Sequence, residues 1–507
     1  MLTLADVIAA LKSAPEGEGA DAFKNSVAGE ASPPVEGTSI QPLDALLRSR
    51  VITEASLDSR QVIPGALFVA LPGQRVDGHN YVAAAFERGA MYALVQKDLS
   101  NQSPVLDLRS GASGWETAVQ VLVEKEGPFC LWVDDTLKAL QQIAFYWRRK
   151  LDVKVIGITG SVGKSTTKEL VAEVLSQRYR TLRNLGNLNN EIGLPLTLLS
   201  LSEGYQRAVL EMGFYVPGEI TFLCELAQPH IGVVTNVGTV HAERAGSKEA
   251  IAQGKAELVK ALPPAPEGVA ILNYDDPLVR EMASQTKARV LFYGMDPAAD
   301  LWADNVEGMG LEGIRFRLHY QGETIHLRVP LIGRHSVQTT LRATAVGLVE
   351  GLTWQEIVSG LRSGTTQLRL MVVRTENGAL ILDDTYNASP ESTLAALNLL
   401  EELDGRKIAV LGDMLELGMY EWRGHEMVGI RCAEVCQMLI TVGERGRMIA
   451  AAACRAGLPA SDITELETTE QATELLKQRL QPQDVVLVKG SHGMRMDRIV
   501  AALEYRK

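Results

Sequence analysis

Residues 151–170 read LDVKVIGITGSVGKSTTKEL, and the reading of this stretch decides the fold. The apolar run 153–158 has the length and composition of a buried strand. Gly160, Ser161 and Gly163 then make a turn, and Lys164, Ser165 and Thr166 open a helix. A strand, a glycine loop and a helix N-terminus in this order aim backbone N–H groups at one point, which is how a fold holds a polyphosphate. On this reading Thr159, Gly160, Ser161, Val162, Gly163, Lys164, Ser165 and Thr166 form the nucleotide cradle. Lys164 is expected against the β- and γ-phosphates, and the Ser165 hydroxyl on Mg²⁺. The spacing departs from GxxxxGK[ST]. Counting back from Gly163 puts Ile158 where the first glycine belongs, with Gly157 one place earlier, so the form is TGSxGKS. A bland strand-to-helix turn is the alternative; the flanking strand and helix favour the nucleotide site.

The rest of the composition fits such a site. At 507 residues the chain is too long for one hydrophobic core, and about three domains are expected. Its apolar fraction of 46% and charged fraction of 22% are those of a soluble globular protein. A formal charge of −12 without a basic block argues against a nucleic-acid partner. Attraction for an anionic nucleotide then has to be local, from the glycine loop, metal ions and a few Lys or Arg. The five cysteines form no CxxC pair, and Cys432 and Cys436, on one helix face, read as small buried residues rather than ligands. A reduced, cytoplasmic protein is expected. The start, MLTLADVIAALKSAPEGEG, lacks the basic and apolar regions of a signal peptide, and no apolar run is long enough for an integral membrane segment.

Residues 1–12 look like a short amphipathic helix, and 13–42, rich in Gly, Ala, Pro, Ser and Glu, like a loose insertion. From residue 51 two short strands are expected around the Pro64-Gly65 turn, then a helix at 81–88 and a strand at 93–95. Asp58, Ser59 and Arg60, and the Asp77-Gly78-His79 turn, read equally well as ligand-binding or as solvated loops. Residues 96–130 read as irregular, and 136–150 as a helix whose basic end suits its C-terminus.

Strands and helices alternate over 151–365, as a mostly parallel sheet requires. Strands are expected at 154–159, 207–212, 231–235 and 269–273. In open α/β sheets the chemistry sits beyond the carboxyl ends of the strands. Glu211, Asn236, His241, Asn273, Asp275 and Asp276 fall there, and Asn187, Asn189 and Asn190 occupy another loop. Glu211 and His241 together suit a second divalent ion, or else they merely close loops. Lys255 on the helix 247–262 reads by itself as a surface lysine. A long helix follows a Gly-Arg-His turn in 331–350, and 360–368 reads as a linker. The last region repeats the alternation, with strands at 379–383, 407–411, 438–442 and 485–489, each followed by a polar loop. Two ligand faces, one carrying a nucleotide, suggest a cleft that closes over two substrates.

TGSVGKST, NLNNEIG, EMG followed by PGEI, NVGTVHAERAGS, NYDDP, DDTYNASP and LGDMLELG stand in the order found in the Mur ligases of peptidoglycan synthesis. From about residue 51 to the end the chain resembles that family. DSRxVxPGxLFVALPGxxxDGH is similar to its uridine-nucleotide domain. The resemblance implies a three-domain α/β protein: a smaller N-terminal α/β domain (1–150) binding a UDP-sugar peptide, a central P-loop domain (151–365) with a mostly parallel sheet and helices on both faces, and a Rossmann-like α/β C-terminal domain (366–507). It implies ATP, two Mg²⁺ ions, and UDP-N-acetylmuramoyl-tripeptide and D-alanyl-D-alanine as partners. The sequence itself suggests no exposed coiled coil or apolar interface stripe, so a monomer is expected.

Residue by residue, the resemblance implies that Lys164 and Ser165 hold the ATP phosphates and Mg²⁺, and that Glu211 and His241 bind the second ion. Lys255 matches a lysine commonly carbamylated in the family, which makes it a metal-facing carboxylate. Asn273 lies on the nucleotide side, and Arg369 and Asp384 match the C-terminal residues that meet phosphates and ribose. Tyr386, Asn387 and Lys489 face the cleft, Asp58, Ser59 and Arg60 grip the uridine nucleotide, and Asn189 and Asn190 belong to the substrate side. One departure stands out: where the family has His-Asn-x-x-Asn, this chain has His335-Ser336-Val337-Gln338-Thr339, without either asparagine. The other readings are a folylpolyglutamate-type ligase, lacking such an N-terminal domain, and a P-loop switch protein.

Overall fold

Three sheets form from runs of β-branched and aliphatic residues, and each is closed by helices. The computed structural model describes residues 1–12, 40–73, 76–239, 242–363 and 371–505. These fall into two compact units, one of Met1–Lys154, Asn184–Gln206 and Glu225–Gln228, the other of Val155–Arg183, Arg207–Cys224 and Pro229–Lys507.

The first unit holds a five-stranded, all-parallel sheet whose spatial order, by first residue, is Ala55, Leu67, Tyr92, Phe129, Val105. Leu67–Val69 and Tyr92–Val95 are buried throughout, as parallel strands covered on both faces must be. Residues 96–130 are more regular than their sequence suggests, with a strand at Val105–Asp107 and a helix at Trp115–Glu124. That helix buries only Val119 and Val123, a stripe too narrow to register as periodicity. Asp135 caps the Thr136–Arg149 helix, its carboxylate accepting from Leu137 N and Lys138 N at 2.9 and 3.0 Å. Near its end Arg148 is buried and donates to the carbonyls of Ala227, Leu151 and Val153. Burial holds its pKa down at about 10. Most of the loose insertion expected at 13–42 lies outside the described residues; a helix at Ile40–Ser49 closes it.

The second unit holds the other two sheets. In the nine-stranded one the order, by first residue, is Glu323, Ile314, Leu301, Arg289, Val269, Ile231, Lys154, Arg207, Thr181. Its Arg289–Gly294, Val269–Asn273, Ile231–Val234 and Lys154–Thr159 strands are parallel, and the last three are almost wholly buried. Leu301–Gly308, Ile314–Tyr320 and Glu323–Val329 extend it as an antiparallel meander rather than by further helices. Their alternating burial is the period-two pattern of strands with one wet face. Apolar residues of this sheet and of the Ser336–Val349 helix form one core, including Ile156, Ile158, Val233, Ile271, Leu341 and Val346. Each such side chain contributes about 1.5–3 kcal/mol by its burial. A further helix at Trp354–Arg362, started by a Thr353/Glu356 capping box, occupies part of the stretch read as a linker.

The six-stranded sheet has the order, by first residue, Met371, Leu380, Asp484, Arg406, Met438, Ile463, with only its first pair antiparallel. Cys432 and Cys436 pack into its core. Of the five cysteines, all free thiols, only Cys454 is exposed. Burial pushes the Cys130 thiol up to about 12 and raises that of Cys432 strongly. The native protein is therefore expected to react with about one equivalent of a thiol-specific disulfide reagent, and with five after unfolding. Rapid native reaction of two or more thiols contradicts this packing. Among the described residues no helix is long and apolar enough to cross a membrane.

Candidate active site

The Lys154–Thr159 strand ends at Gly160, whose φ of +144° and missing side chain let Thr235 stand where a Cβ would be: the Thr235 Oγ1 would lie 1.8 Å from it. The loop is then clasped by the next strand end. Ser161 N–H donates to Asn236 O at 2.9 Å, Val162 N–H to Asn236 Oδ1 at 2.9 Å, and Gly238 N–H to Ser161 Oγ at 2.8 Å. Gly163, with φ +85°, turns the chain into the Lys164–Leu175 helix, leaving the first-turn N–H groups aimed outward. The Lys164 ammonium donates to the Gly160 and Ser161 carbonyls at 2.8 and 3.2 Å. The Ser165 hydroxyl donates to Glu211 Oε2 at 2.6 Å, and Glu211 is buried at the end of its own strand. A carboxylate and a hydroxyl in contact beside a phosphate loop are hard oxygen donors that suit Mg²⁺.

Lys255 is buried, which corrects the reading of it as a surface lysine. The neighbouring Gly254 makes this possible: a Cβ there would stand 2.0 Å from Phe214 Cε2, so only glycine admits the ring that covers the amine. The Lys255 Nζ lies 4.7 Å from the centroid of that ring. Burial, with the charge of Lys164 adding to it, holds the ammonium well below the usual lysine range.

Asn273 is buried and locks its own turn, donating to Thr235 O at 3.0 Å and accepting from Asp275 N at 3.0 Å. On the six-stranded sheet Asp384 and Lys489 are opposite each other in register. The buried Lys489 ammonium donates to Asp384 Oδ2 at 2.6 Å and to the Asn387 carbonyl at 2.8 Å. Tyr386 stands beside His492, ring centroids 6.0 Å apart. A cavity of about 600 Å³ is lined by Ser161–Thr166 in chain order together with Asn273, Asp384, Tyr386, Asn387 and Lys489. Two strand-end clusters from two sheets thus face one space.

In the first unit, the Asp58 carboxylate takes a two-pronged bond from the Arg60 guanidinium, at 2.9 and 2.8 Å, which pulls its pKa to about 2; Ser59 between them is buried. Asn190 Oδ1 accepts from Gly193 N at 2.9 Å at the start of a helix, and Asn189 N–H donates to Asn187 O at 2.8 Å. His241 and Arg369 lie outside the described residues. Among the described residues no three His, Cys, Asp or Glu side chains converge as a metal site.

Three domain families match the chain in order: "Mur ligase family, catalytic domain" over residues 51–146, "Mur ligase middle domain" over 158–347 and "Mur ligase, glutamate ligase domain" over 368–492. UDP-N-acetylmuramoyl-tripeptide–D-alanyl-D-alanine ligase of Bacillus subtilis is 35% identical over 475 residues, 92% of this chain and 96% of the relative. The chain belongs to the Mur ligase family. As a Mur ligase it is an ATP-dependent ligase. MurF from Acinetobacter baumannii has the same fold, with a TM-score of 0.74 and 32% identity over 89% of this chain and 93% of that one. MurF from Thermotoga maritima, solved in complex with ADP, gives 0.72 and 26% over 89% and 96%.

The structure of this Mur ligase chain also brings residues to the cavity that the sequence did not single out. Glu391 follows Pro390 at the start of the helix Pro390–Glu402 and accepts from Thr239 N and Oγ1 at 3.0 and 3.2 Å. It ties the C-terminal sheet's helix to the loop beyond the Ile231–Val234 strand, and its only sequence signal is the position after a Ser-Pro cap. Arg342 is a buried cation on the Ser336–Val349 helix, and nothing in a helical pattern marks it.

Proposed function

We propose that the chain joins D-alanyl-D-alanine to the carboxylate of UDP-N-acetylmuramoyl-tripeptide at the expense of ATP, giving the pentapeptide precursor of peptidoglycan, ADP and phosphate. The observation that carries this is the single cavity onto which the phosphate loop and the Asp384–Lys489 pair open from two sheets. A one-ligand nucleotide switch has no need of the second cluster. The likeness to a UDP-N-acetylmuramoyl-tripeptide–D-alanyl-D-alanine ligase over nearly the whole chain, including the N-terminal region, supports it against a folate-type acceptor.

The chemistry sets the demands. A carboxylate is a poor electrophile, so its oxygen first attacks the γ-phosphorus of ATP, giving an acyl phosphate and ADP. The dipeptide amine then adds to the acyl carbon, and the tetrahedral intermediate expels phosphate. Carboxylate and triphosphate repel each other, and Lys164 offsets that charge as the phosphoryl group moves. Ser165 and Glu211 are the residues to hold Mg²⁺, with Glu211 and His241 for a second ion; the metal supplies neutralisation of the phosphate charge. Lys255 completes this set as a carbamate, formed when its neutral amine adds to CO₂ and releases a proton. The cradle of residues 159–166, Asn273 and Asp384 serves the nucleotide, with Arg369. Tyr386, Asn387 and Lys489 face the incoming dipeptide in a C-terminal domain of 366–507. Asp58, Ser59 and Arg60, in an N-terminal domain of 1–150, grip the uridine nucleotide, and Asn189 and Asn190 serve the same substrate. Free thiols throughout suit the reducing cytoplasm.

The test is phosphate release from ATP and Mg²⁺ with UDP-N-acetylmuramoyl-tripeptide, with and without D-alanyl-D-alanine. Release that needs both, with a pentapeptide product by mass, is expected. Release indifferent to both substrates overturns the proposal and leaves a nucleotide-hydrolysing switch.

A further inference from the structure

Arg342 has no part in the chemistry above, yet it lines the same cavity as the phosphate loop. Its residue is 4% exposed. One guanidinium nitrogen, Nη2, donates to Thr339 Oγ1 at 2.8 Å, and Nη1 reaches the Tyr293 hydroxyl at 3.4 Å. Its Nε has no hydrogen-bond partner among the described residues. Both hydrogen bonds it makes are to neutral hydroxyls, since burial raises the Tyr293 phenol further from ionisation. Asp275, a carboxylate of the same region, is taken up by Met295 N at 2.8 Å and Gln338 Nε2 at 2.7 Å. A guanidinium stays charged at any accessible pH, and a buried charge is costly unless it meets an opposite one.

The direction of the side chain says where that charge is to be found. A Cβ built on Gly163 would stand 3.1 Å from Arg342 Nη2, so the guanidinium packs on the glycine that starts the phosphate-loop helix. The helix's own polar residues are meanwhile used internally. The Ser336 hydroxyl donates to Ile332 O at 2.7 Å, and that of Thr339 accepts from Arg342. What this side of the cavity offers a ligand is therefore positive charge.

We propose that Arg342 is a further cation of the nucleotide site and binds the phosphate chain of ATP and ADP. This rests on the reading of residues 159–166 as a nucleotide cradle. It places Arg342 among the binding residues, with Thr339 and Tyr293 holding its fork in position.

The test is the affinity for ADP and for adenosine, measured by titration calorimetry with Mg²⁺ present and adenosine read by displacement, in the wild type, Arg342→Gln and Arg342→Lys. The dissociation constant for ADP is expected to rise at least about tenfold in Arg342→Gln, as for a lost hydrogen bond to a charged group, and several-fold in Arg342→Lys, which keeps charge but not the fork. That for adenosine is expected to stay within about twofold, a split that a merely structural arginine does not produce. Equal weakening of both ligands, or no weakening of ADP, overturns the proposal. If Arg342→Gln does not fold, the same split in Arg342→Lys decides. A wild-type chain that binds no ADP overturns the nucleotide reading together with this one, whereas a wild type that binds ADP beside unaffected variants overturns only this one.

Discussion

Replacing Lys164 by Ala is expected to lower ligation by about a thousandfold or more, with the fold unchanged. The ammonium reaches the carbonyls of Gly160 and Ser161, which places it over the mouth of the loop rather than in the core. Those two bonds are partly solvated, and their loss costs about 1.5 kcal/mol each, the low end for a charged donor. Alanine is also the best helix former for the first turn that Lys164 occupies. The large term is functional. As the tripeptide carboxylate approaches the γ-phosphate, negative charge gathers at one point of the cavity. A preorganised cation there is worth several kcal/mol, or two to three orders of magnitude in rate for a single donor. Phosphate release in the presence of both substrates measures the rate, and circular dichroism with a melting curve measures the fold. Wild-type turnover by a well-folded Lys164→Ala protein removes the phosphate-loop assignment. A variant that is inactive only because it melts early makes the lysine structural.

Much of this site was legible because parallel sheets put chemistry at strand ends. The run ending at Thr159, the acid at the end of the Arg207–Glu211 strand, and the polar loops after Asp384 and Lys489 follow from that rule. What stayed hidden depends on contacts between segments far apart in sequence. Lys255 lies on an amphipathic helix whose spacing says nothing about cover, and it is buried by the distant ring of Phe214 that only Gly254 admits. Arg342 and Glu391 are charged residues on helices, and such residues are read as solvated by default. The three antiparallel strands between Leu301 and Val329 alternate clearly, but they were absorbed into the expectation of further strand–helix units. Residues 96–130 illustrate the opposite error, where a narrow apolar stripe concealed a helix.

Substituting Lys255 with Met is expected to separate stability from activity. Methionine matches the lysine stem in length and fills the space beneath Phe214, so little packing is lost. What is removed is an amine that burial disfavours in its charged form. In the unfolded chain that amine is protonated at neutral pH, so folding must strip or bury a charge, and the variant is spared that cost. The melting temperature is therefore expected to hold or rise. Activity is expected to fall about a hundredfold or more, because an uncharged thioether cannot become the carbamate proposed above for the metal side of the site. The lowered pKa is what makes the modification feasible, since only the neutral amine attacks CO₂. Prolonged dialysis of the wild type against CO₂-free buffer is accordingly expected to depress turnover, and added bicarbonate to restore it, with Lys255→Met indifferent to both. A variant that keeps wild-type turnover removes Lys255 from the chemistry. One that loses activity and melts many degrees lower assigns the buried amine to the core instead, as would a wild type unaffected by bicarbonate.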